Sequence, residues 1–357
     1  MPHLVVSISG HGFGHVAQTA PILNALHQLM PTLRITVRST VPHAHLRSRI
    51  HAPFIRQQSE GDIGMIMASA LKVDVKKSRA AYQNFHVNWS KRVADEAKLL
   101  SELKADVVFS NVGYLPLAGA QLAGIPNAAL CSLNWADIYR HYCGENKITA
   151  QIHTCYANAD AFFRATPGMN MNDLPNLIPV SPIADIGTNR RDEINQKLNL
   201  SSDEKLVLVS MGGITSRLPI ERWQRINGVK WLVQQNWDVQ HPDVIVLETL
   251  EMNFGDALSS CDALLCKPGY GSFVEAAYSG IPVLYINRPD WPETPALVEW
   301  LQRHGVCREV SQSILEKHEI ENILPTLWNS NEFKQVTSPT KNRITEWLLR
   351  KLDSSAI

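Results

Sequence analysis

The chain has 357 residues, of which 45% are hydrophobic and 19% charged, and its 34 basic and 34 acidic residues give a net charge of zero at pH 7. This globular composition excludes an intrinsically disordered chain, a collagen-like repeat and a coiled coil. The balanced charge argues against nucleic acid as the main partner, because proteins of that class usually carry a basic excess.

The N-terminal half alternates predicted strands and helices. An apolar strand over Leu4–Ser9 runs into the sequence GHGFGH at residues 10–15, and apolar residues at helical spacing follow. Arg34–Ser39 is the next predicted strand, which completes the first unit of a parallel α/β sheet. A long helix is predicted over residues 79–104, before a buried strand at Asp106–Ser110.

Prolines and glycines are concentrated in residues 166–190, which we predict to be a linker between two domains. The N-terminal domain is accordingly assigned to residues 1–165 and the C-terminal domain to residues 191–332. A chain of this length is expected to form two domains. An amphipathic helix is predicted within residues 333–357, and it is expected to pack back on the N-terminal domain.

The six cysteines include no CxxC pair, which predicts reduced thiols in a cytosolic protein and no zinc site. The amino terminus lacks the charged and apolar segments of a signal peptide. The sequence has no run of about 18 apolar residues, so it predicts no membrane-spanning helix. We therefore expect a cytoplasmic protein, and a peripheral contact with the inner face of the membrane stays open.

The turn at residues 10–15 combines three glycines with two histidines. Glycine lets a backbone turn sharply and approach a ligand closely, and histidine can act as a general base near neutral pH. The turn is not a dinucleotide fingerprint, because Arg38 stands at the end of the next strand, where an acidic residue is needed. A tight turn with a surface histidine is the alternative interpretation.

A second turn at residues 267–275 reads Lys-Pro-Gly-Tyr-Gly-Ser-Phe-Val-Glu and opens a predicted helix. Unpaired N–H groups and the helix dipole at such a terminus suit a phosphate or diphosphate. Ser272 is predicted to be the N-cap and a phosphate ligand. Glu275 fits either an acceptor for ribose hydroxyls or a capping-box carboxylate.

Two further segments follow predicted strands. Gly212 and Gly213 form a candidate phosphate-facing turn, with a plain turn as the alternative. A proline-rich loop carries Asp290, Trp291 and Glu293, whose polar groups suit sugar hydroxyls and whose indole suits stacking on a sugar ring. A loop merely stiffened by proline is the alternative. Because ligands of parallel α/β folds bind at the carboxyl ends of strands, these turns are expected to border one cleft.

The order of these motifs resembles the GT-B glycosyltransferases. The N-terminal glycine turn with histidine, then Pro-Gly-x-Gly-Ser-x-x-Glu and Gly-Ile-Pro-Val, is similar to the branch of the lipid-II N-acetylglucosaminyltransferase and the UDP-glycosyltransferases. The resemblance extends from Ser9 to about Gly305. A closer resemblance is to the glycosyltransferase-like N-terminal region of plant arabinokinases, at residues 10–15, 62–64, 70–74, 133–139 and 267–275. The sequence has no kinase phosphate loop, so kinase activity is not carried over.

The resemblance implies an α/β fold of two Rossmann-like domains facing each other across a cleft. It also implies a role for each matched residue, with His15 deprotonating or orienting the acceptor hydroxyl and His11 as the rival base. Gly12 and Gly14 would line the cleft. The donor would be held by three groups of residues: Gly269, Gly271 and Ser272 at the diphosphate, Glu275 at the ribose, and Asp290 and Glu293 at the sugar. Trp291-Pro292-Glu293 replaces the Asp-Gln or Asp-His-Gln of many members.

The reaction so implied is a single inverting transfer of a sugar from a nucleoside-diphosphate sugar, with UDP favoured, to an acceptor hydroxyl. Helix amides would stabilise the leaving diphosphate without a metal or a cofactor, which fits the absence of a DxD triad from the sequence. The sequence identifies neither the acceptor, the sugar nor the oligomeric state. Residues 60–72 are expected to be either an exposed apolar contact for a lipid-linked acceptor or a buried helix.

Two other functions stay open. A nucleotide-sugar epimerase or hydrolase on the same fold would bring extra carboxylates to the sugar, with Asp62, Asp74 and Asp137 as candidates. A non-catalytic module that binds sugar nucleotides is the third possibility, although it would not need the histidines.

Overall fold

Two parallel sheets form the framework of the protein, in a computed structural model that describes residues 1–213, 217–316, 319–329 and 342–354. The first sheet contains β1 (His3–Ile8), β2 (Arg34–Arg38), β3 (Ile55–Gln57), β4 (Val107–Asn111), β5 (Asn127–Cys131), β6 (Ala161–Ala165) and β7 (Leu177–Val180). The second contains β8 (Lys205–Ser210), β9 (Val229–Val233), β10 (Val244–Val246), β11 (Ala263–Cys266), β12 (Val283–Tyr285) and β13 (Cys307–Glu309).

The helices connect successive strands and cover the sheets. Those of the N-terminal half are α1 (Gly14–Leu29), α2 (His43–Arg49), α3 (Val75–His86), α4 (Trp89–Glu102), α5 (Tyr114–Leu122), α6 (Trp135–Cys143) and α7 (Lys147–Ala157). Those that follow are α8 (Arg191–Leu198), α9 (Phe254–Ser259), α10 (Tyr270–Tyr278), α11 (Thr294–His304), α12 (Gln312–Glu316), α13 (Ile320–Trp328) and α14 (Asn342–Ser354). Short 3-10 helices span Ile220–Arg222, Gln235–Trp237 and Leu247–Leu250.

The two sheets have the same strand order. The first runs β3-β2-β1-β4-β5-β6-β7 and the second runs β10-β9-β8-β11-β12-β13, with every pair of neighbours parallel. The order changes direction between β1 and β4 and between β8 and β11, and ligands of such folds bind at the crevice this creates. The predicted fold class, two Rossmann-like domains, is therefore confirmed.

Burial explains why the central strands are apolar. All six positions of β1 are buried, and every position of β4 and β11 is buried as well. Strands covered by helices on both faces need continuous apolar runs, which is the pattern that the sequence has. One apolar cluster includes side chains of β1, β11 and α14, so the core continues from one domain into the other.

The linker predicted at residues 166–190 contains β7, which pairs with β6 from Phe162↔Leu177 to Ala165↔Val180. The N-terminal sheet therefore extends beyond the predicted boundary, to Val180. Prolines concealed this strand in the sequence. Pro179 is tolerated because β7 is the edge strand, where a missing N–H breaks no ladder.

Two other segments differ from the expectation from the sequence. The helix predicted over residues 79–104 is two helices, α3 and α4, which break at Val87 and Asn88. Residues 60–72 form neither a helix nor an exposed apolar patch, because Met65 is buried and Ala70 packs into an apolar cluster of the C-terminal domain. No helix among the described residues is long and apolar enough to cross a membrane.

Helix α14 packs on the N-terminal domain. The ring of Trp347 lies 6.0 Å from that of Phe163, and Lys351 forms an ion pair with Asp160 at 3.8 Å. The remainder of the predicted C-terminal helix, residues 333–341 and 355–357, lies outside the described residues.

Candidate active site

A cleft between the two sheets lies where the turns after β1, β8 and β11 meet. Its empty volume is about 1270 Å³, counting the open mouth. The cleft brings together every predicted site residue except Asp290, namely His11, Gly12, Gly14, His15, Gly212, Gly213, Gly269, Gly271, Ser272, Glu275 and Glu293. Ile214–Ser216, which complete the turn after β8, lie outside the described residues.

Asp290 does not line this cleft. The residue is exposed, and its backbone carbonyl accepts a hydrogen bond from the Tyr142 hydroxyl at 2.6 Å. The neighbouring Trp291 is buried instead, with the His11 ring stacked 5.5 Å away and the Arg288 guanidinium 3.9 Å from its ring centre. Protein groups thus already contact the indole that we predicted to stack on a sugar.

Three of the glycines border open space. A Cβ built on Gly12 or Gly14 would meet no described atom within 4 Å, and one on Gly269 would meet only the Lys267 carbonyl oxygen at 3.8 Å. None of these positions has a positive φ, so neither packing nor backbone conformation requires glycine there. The missing side chains leave room for a ligand to approach the backbone.

The other glycines have structural explanations. Gly212 has a φ of +75°, which favours glycine. A Cβ on Gly213 would lie 2.8 Å from the Phe13 ring, and one on Gly271 would lie 2.8 Å from the Cβ of Ala17. Both contacts join the C-terminal to the N-terminal domain. These glycines therefore allow the two walls of the cleft to approach each other.

The first turn of helix α10 lines the cleft. Its N-cap is Gly269, and the first helical bond runs from the Phe273 N–H to the Gly269 carbonyl at 3.0 Å. Ser272 therefore lies inside the first turn, and its predicted role as N-cap is wrong. The extended backbone of Gly269 starts the helix earlier than the sequence suggested. The N–H groups of Tyr270, Gly271 and Ser272 have no partner within the helix.

Two cations stand beside this helix terminus. Lys267 follows β11 and Arg288 follows β12, and neither forms an ion pair with a described carboxylate. Burial lowers the pKa of Lys267 to about 8 and that of Arg288 to about 10, with mutual repulsion adding to the fall at Lys267. Both side chains are still mostly protonated at pH 7. They and the α10 terminus together suit an anionic group.

Glu275 forms a buried ion pair with Arg49 of α2 across the domain interface. Burial raises the pKa of this carboxyl, and the nearby Arg49 opposes that rise. The carboxylate does not cap α10, so the capping-box alternative is wrong. A contact with ribose hydroxyls stays a prediction, to be made with the lone pairs that Arg49 does not use.

His15 is held as a neutral imidazole. Its Nδ1 lies 2.9 Å from Oδ1 of Asn111, the last residue of β4, and no hydrogen bond among the described residues uses its Nε2. Burial lowers the pKa of His15 to about 4. A neutral ring that donates from Nδ1 keeps a lone pair on Nε2, which is the atom that could remove a proton.

In His11 the two ring nitrogens have the opposite roles. The Met65 N–H donates to its Nδ1 at 3.2 Å, so a neutral His11 ring carries its proton on Nε2. Burial, together with His15 and Arg288, keeps the pKa of His11 well below its usual range. The geometry therefore favours His15 over His11 as the base.

Several residues of the cleft were not selected from the sequence. Lys267 begins the turn at residues 267–275, and Arg288 directly precedes the proline-rich loop. Both follow buried strands, which was an available signal in the sequence. Asn111 and Ser132 also stand at the carboxyl ends of strands, β4 and β5. Gln18 and Arg49 carry no local signal, because they reach the site only through the packing of helices.

The three aspartates considered for a different chemistry lie outside the cleft lining. Asp62 is buried and accepts from the Ser9 hydroxyl at 2.9 Å, and burial raises its pKa to about 6. Asp74 caps α3 by accepting from the Lys77 N–H, and Asp137 pairs with Arg140. The structure therefore does not bring them to the cleft as extra carboxylates.

No protein-family model matches the chain. It is 24% identical to an L-arabinokinase of Arabidopsis thaliana over 310 residues. The match covers 84% of this chain and 30% of that protein, so the chain spans less than a third of this curated relative.

Solved structures resemble the whole chain. The calicheamicin glycosyltransferase CalG4 has a TM-score of 0.65 at 13% identity, covering 100% of each chain. UGT2 of Phytolacca americana, complexed with UDP-2-fluoro-glucose and pterostilbene, has a TM-score of 0.58 at 14% identity, covering 100% of this chain and 95% of its own. A Listeria monocytogenes protein assigned as a UDP-N-acetylglucosamine 2-epimerase has a TM-score of 0.56 at 12% identity, covering 99% and 96%. The chain therefore has the GT-B fold that its sequence predicted.

Proposed function

We propose that the protein is a glycosyltransferase that moves a sugar from a nucleoside-diphosphate sugar, with UDP the favoured nucleotide, to an acceptor hydroxyl. One observation carries this proposal: neutral His15 and the first turn of α10 line the same cleft, together with two cations, Lys267 and Arg288, that form no ion pair with a described carboxylate. Gly12, Gly14 and Gly269 line the same cleft, and the space beside them is open for a ligand.

The positions of His15 and of the first turn of α10 suggest the following reaction. His15 Nε2 takes the proton of the acceptor hydroxyl while the hydroxyl oxygen attacks the anomeric carbon. The bond from that carbon to the diphosphate oxygen breaks, and the nucleoside diphosphate leaves with the electron pair. Backbone N–H groups of α10 and the cations Lys267 and Arg288 stabilise the charge that develops, so no metal is needed. Attack opposite the leaving group inverts the anomeric configuration.

The names of similar structures support the donor class. UGT2 of Phytolacca americana holds UDP-2-fluoro-glucose, and a further GT-B neighbour, the glycosyltransferase VinC, holds dTDP. The relative named L-arabinokinase suggests that UDP-arabinose should join a donor panel. None of these names identifies the acceptor.

A nucleotide-sugar epimerase or hydrolase is the second candidate, because a protein assigned as an epimerase shares the fold. It would use the same donor site. The position of Asp62, Asp74 and Asp137 outside the cleft lining argues for transfer instead.

The first experiment is a thermal-shift and calorimetric comparison of UDP, GDP, dTDP, CMP and NAD in the presence of EDTA. A ligand that binds the folded state raises its apparent stability by mass action. We expect one nucleoside diphosphate to raise Tm selectively, UDP before the others. Well-folded protein that responds to none of them would refute the nucleotide site and with it the transferase.

The sugars of the selected nucleotide then separate the enzymatic candidates. Without an acceptor, a transferase should leave the donor largely intact, an epimerase should produce a second nucleotide sugar, and a hydrolase should release free sugar and nucleotide stoichiometrically. Nuclear magnetic resonance of the anomeric proton in a transferred product would show whether the configuration is inverted.

A further inference from the structure

A chain of hydrogen bonds connects His15 to the opposite wall of the cleft. His15 Nδ1 contacts Asn111 Oδ1 at 2.9 Å, Asn111 Nδ2 contacts Gln18 Oε1 at 3.1 Å, and Gln18 Nε2 contacts Ser132 Oγ at 2.8 Å. Ser132 Oγ in turn lies 2.5 Å from Oε1 of Glu293. Asn111, Gln18 and Ser132 belong to the N-terminal domain and Glu293 to the C-terminal domain, so we call these four residues the interdomain relay.

The carboxylate at the far end sets the direction of every bond in the relay. An ionised Glu293 can only accept, so the Ser132 hydroxyl must donate its single proton there and accept from Gln18 through a lone pair. The amide nitrogen of Gln18 then faces Ser132, which leaves its oxygen for the Asn111 amide nitrogen. The Asn111 oxygen is thereby turned toward His15, whose Nδ1 must carry the proton.

The second oxygen of Glu293 is held as well. The Trp291 indole N–H donates to Oε2 at 3.2 Å. Both carboxylate oxygens thus face donors. Burial raises the pKa of Glu293, and the hydrogen bonds from Ser132 and Trp291 and the charges of Lys267 and Arg288 oppose that rise. Ser132, Gln18 and Asn111 are all buried, which limits competition from water for these hydrogen bonds.

We infer that Glu293 and Ser132 are positioning residues, which hold His15 in the tautomer with the proton on Nδ1 and the lone pair on Nε2. This inference rests on the proposed function, in which His15 is the base. Because the bond between Ser132 and Glu293 crosses the domain interface, the alignment of the base depends on the packing of the two domains. Without the carboxylate the two amides can turn over, the Asn111 nitrogen can donate to Nδ1, and the proton moves to Nε2, where His15 cannot accept another.

The test is ¹⁵N NMR of histidine-labelled protein at pH 7, which distinguishes a protonated from an unprotonated ring nitrogen. His15→Gln assigns the signal of His15. Glu293→Gln offers an amide that can donate to Ser132, and Ser132→Ala removes the hydroxyl that links the domains. Glu299→Gln is the matched control, because Glu299 lies on α11 but is exposed and paired with Arg303.

The inference expects Nδ1–H in the wild type and in Glu299→Gln, with a large fraction of Nε2–H in Glu293→Gln and Ser132→Ala. In both relay variants we also expect kcat to fall by about 10–100-fold, with the nucleotide Kd of Ser132→Ala unchanged. A wild-type His15 protonated on Nε2 would overturn the inference, even if no variant folds. So would Nδ1–H retained in both relay variants.

The tautomer measurement uses no substrate, so it is independent of the nucleotide screen. A correct tautomer with no nucleotide response would refute the transferase and leave the relay intact. Nucleotide binding with the wrong tautomer would refute the relay and leave the donor site intact.

Discussion

The turn after β1 and the turn after β11 each follow a strand at the point where the strand order of its sheet reverses, yet burial affects them differently. Desolvation lowers the pKa of His15 to about 4 and that of Lys267 to about 8. At pH 7 the histidine is therefore neutral and the lysine still mostly charged. One physical cause thus leaves a neutral imidazole on one wall and a cation on the other, because the two residue types start from different pKa values.

The largest expected effect is on the N-terminal wall. His15→Ala should lower kcat by about 10²–10⁴-fold, because the general base is lost, while the nucleotide Kd measured by calorimetry stays unchanged. His11→Ala should cost much less, since its Nδ1 is already occupied by the Met65 N–H. If His11→Ala abolishes turnover and His15→Ala does not, the two histidines have been assigned the wrong way round.

A substitution on the C-terminal wall should weaken nucleotide binding. Lys267→Met should weaken nucleoside-diphosphate binding by about 10–100-fold at pH 7, the range expected for a lost charged hydrogen bond. Wild-type affinity should fall as the pH rises through about 8, because Lys267 loses its proton and its charge. The variant should show no such fall.

Calorimetry between pH 6.5 and 9.5 measures both effects. Lys91→Met is the control, because Lys91 is exposed on α4, far along the chain from the cleft motifs. An affinity that is independent of pH in the wild type would remove Lys267 from the donor site.

The smallest effects separate two kinds of glycine. Gly12→Ala should leave Tm unchanged, because its Cβ enters open space, and should weaken nucleotide or acceptor binding several-fold. Gly271→Ala should lower the free energy of unfolding by about 1–2 kcal/mol, because its Cβ meets that of Ala17 at 2.8 Å. Denaturant unfolding and calorimetry on both variants make the comparison. A destabilised Gly12→Ala with normal binding would show that Gly12 serves the fold.

The sequence predicted the site best where function depends on short contiguous segments. The turns at residues 10–15 and 267–275 were recognisable because each follows a buried strand and opens a helix, and all their selected residues line the cleft. Prediction failed at Ser272, which lies three residues beyond the observed N-cap Gly269, and at Asp290, which is exposed although the adjacent Trp291 is buried. It also failed at β7, because prolines on an edge strand look like a linker.

By itself, the sequence determined the α/β class, the two halves and the residues of both glycine turns, because hydrophobic periodicity and glycine act over a few neighbouring positions. The tertiary structure alone decided which hydrogen bonds the two histidines form, which partner Glu275 takes and how Glu293 reaches His15. Those outcomes depend on the ion pair of Arg49 with Glu275 and on the bond of Ser132 to Glu293. Each joins residues more than 150 positions apart, and only the packing of the two domains brings such residues within hydrogen-bond distance.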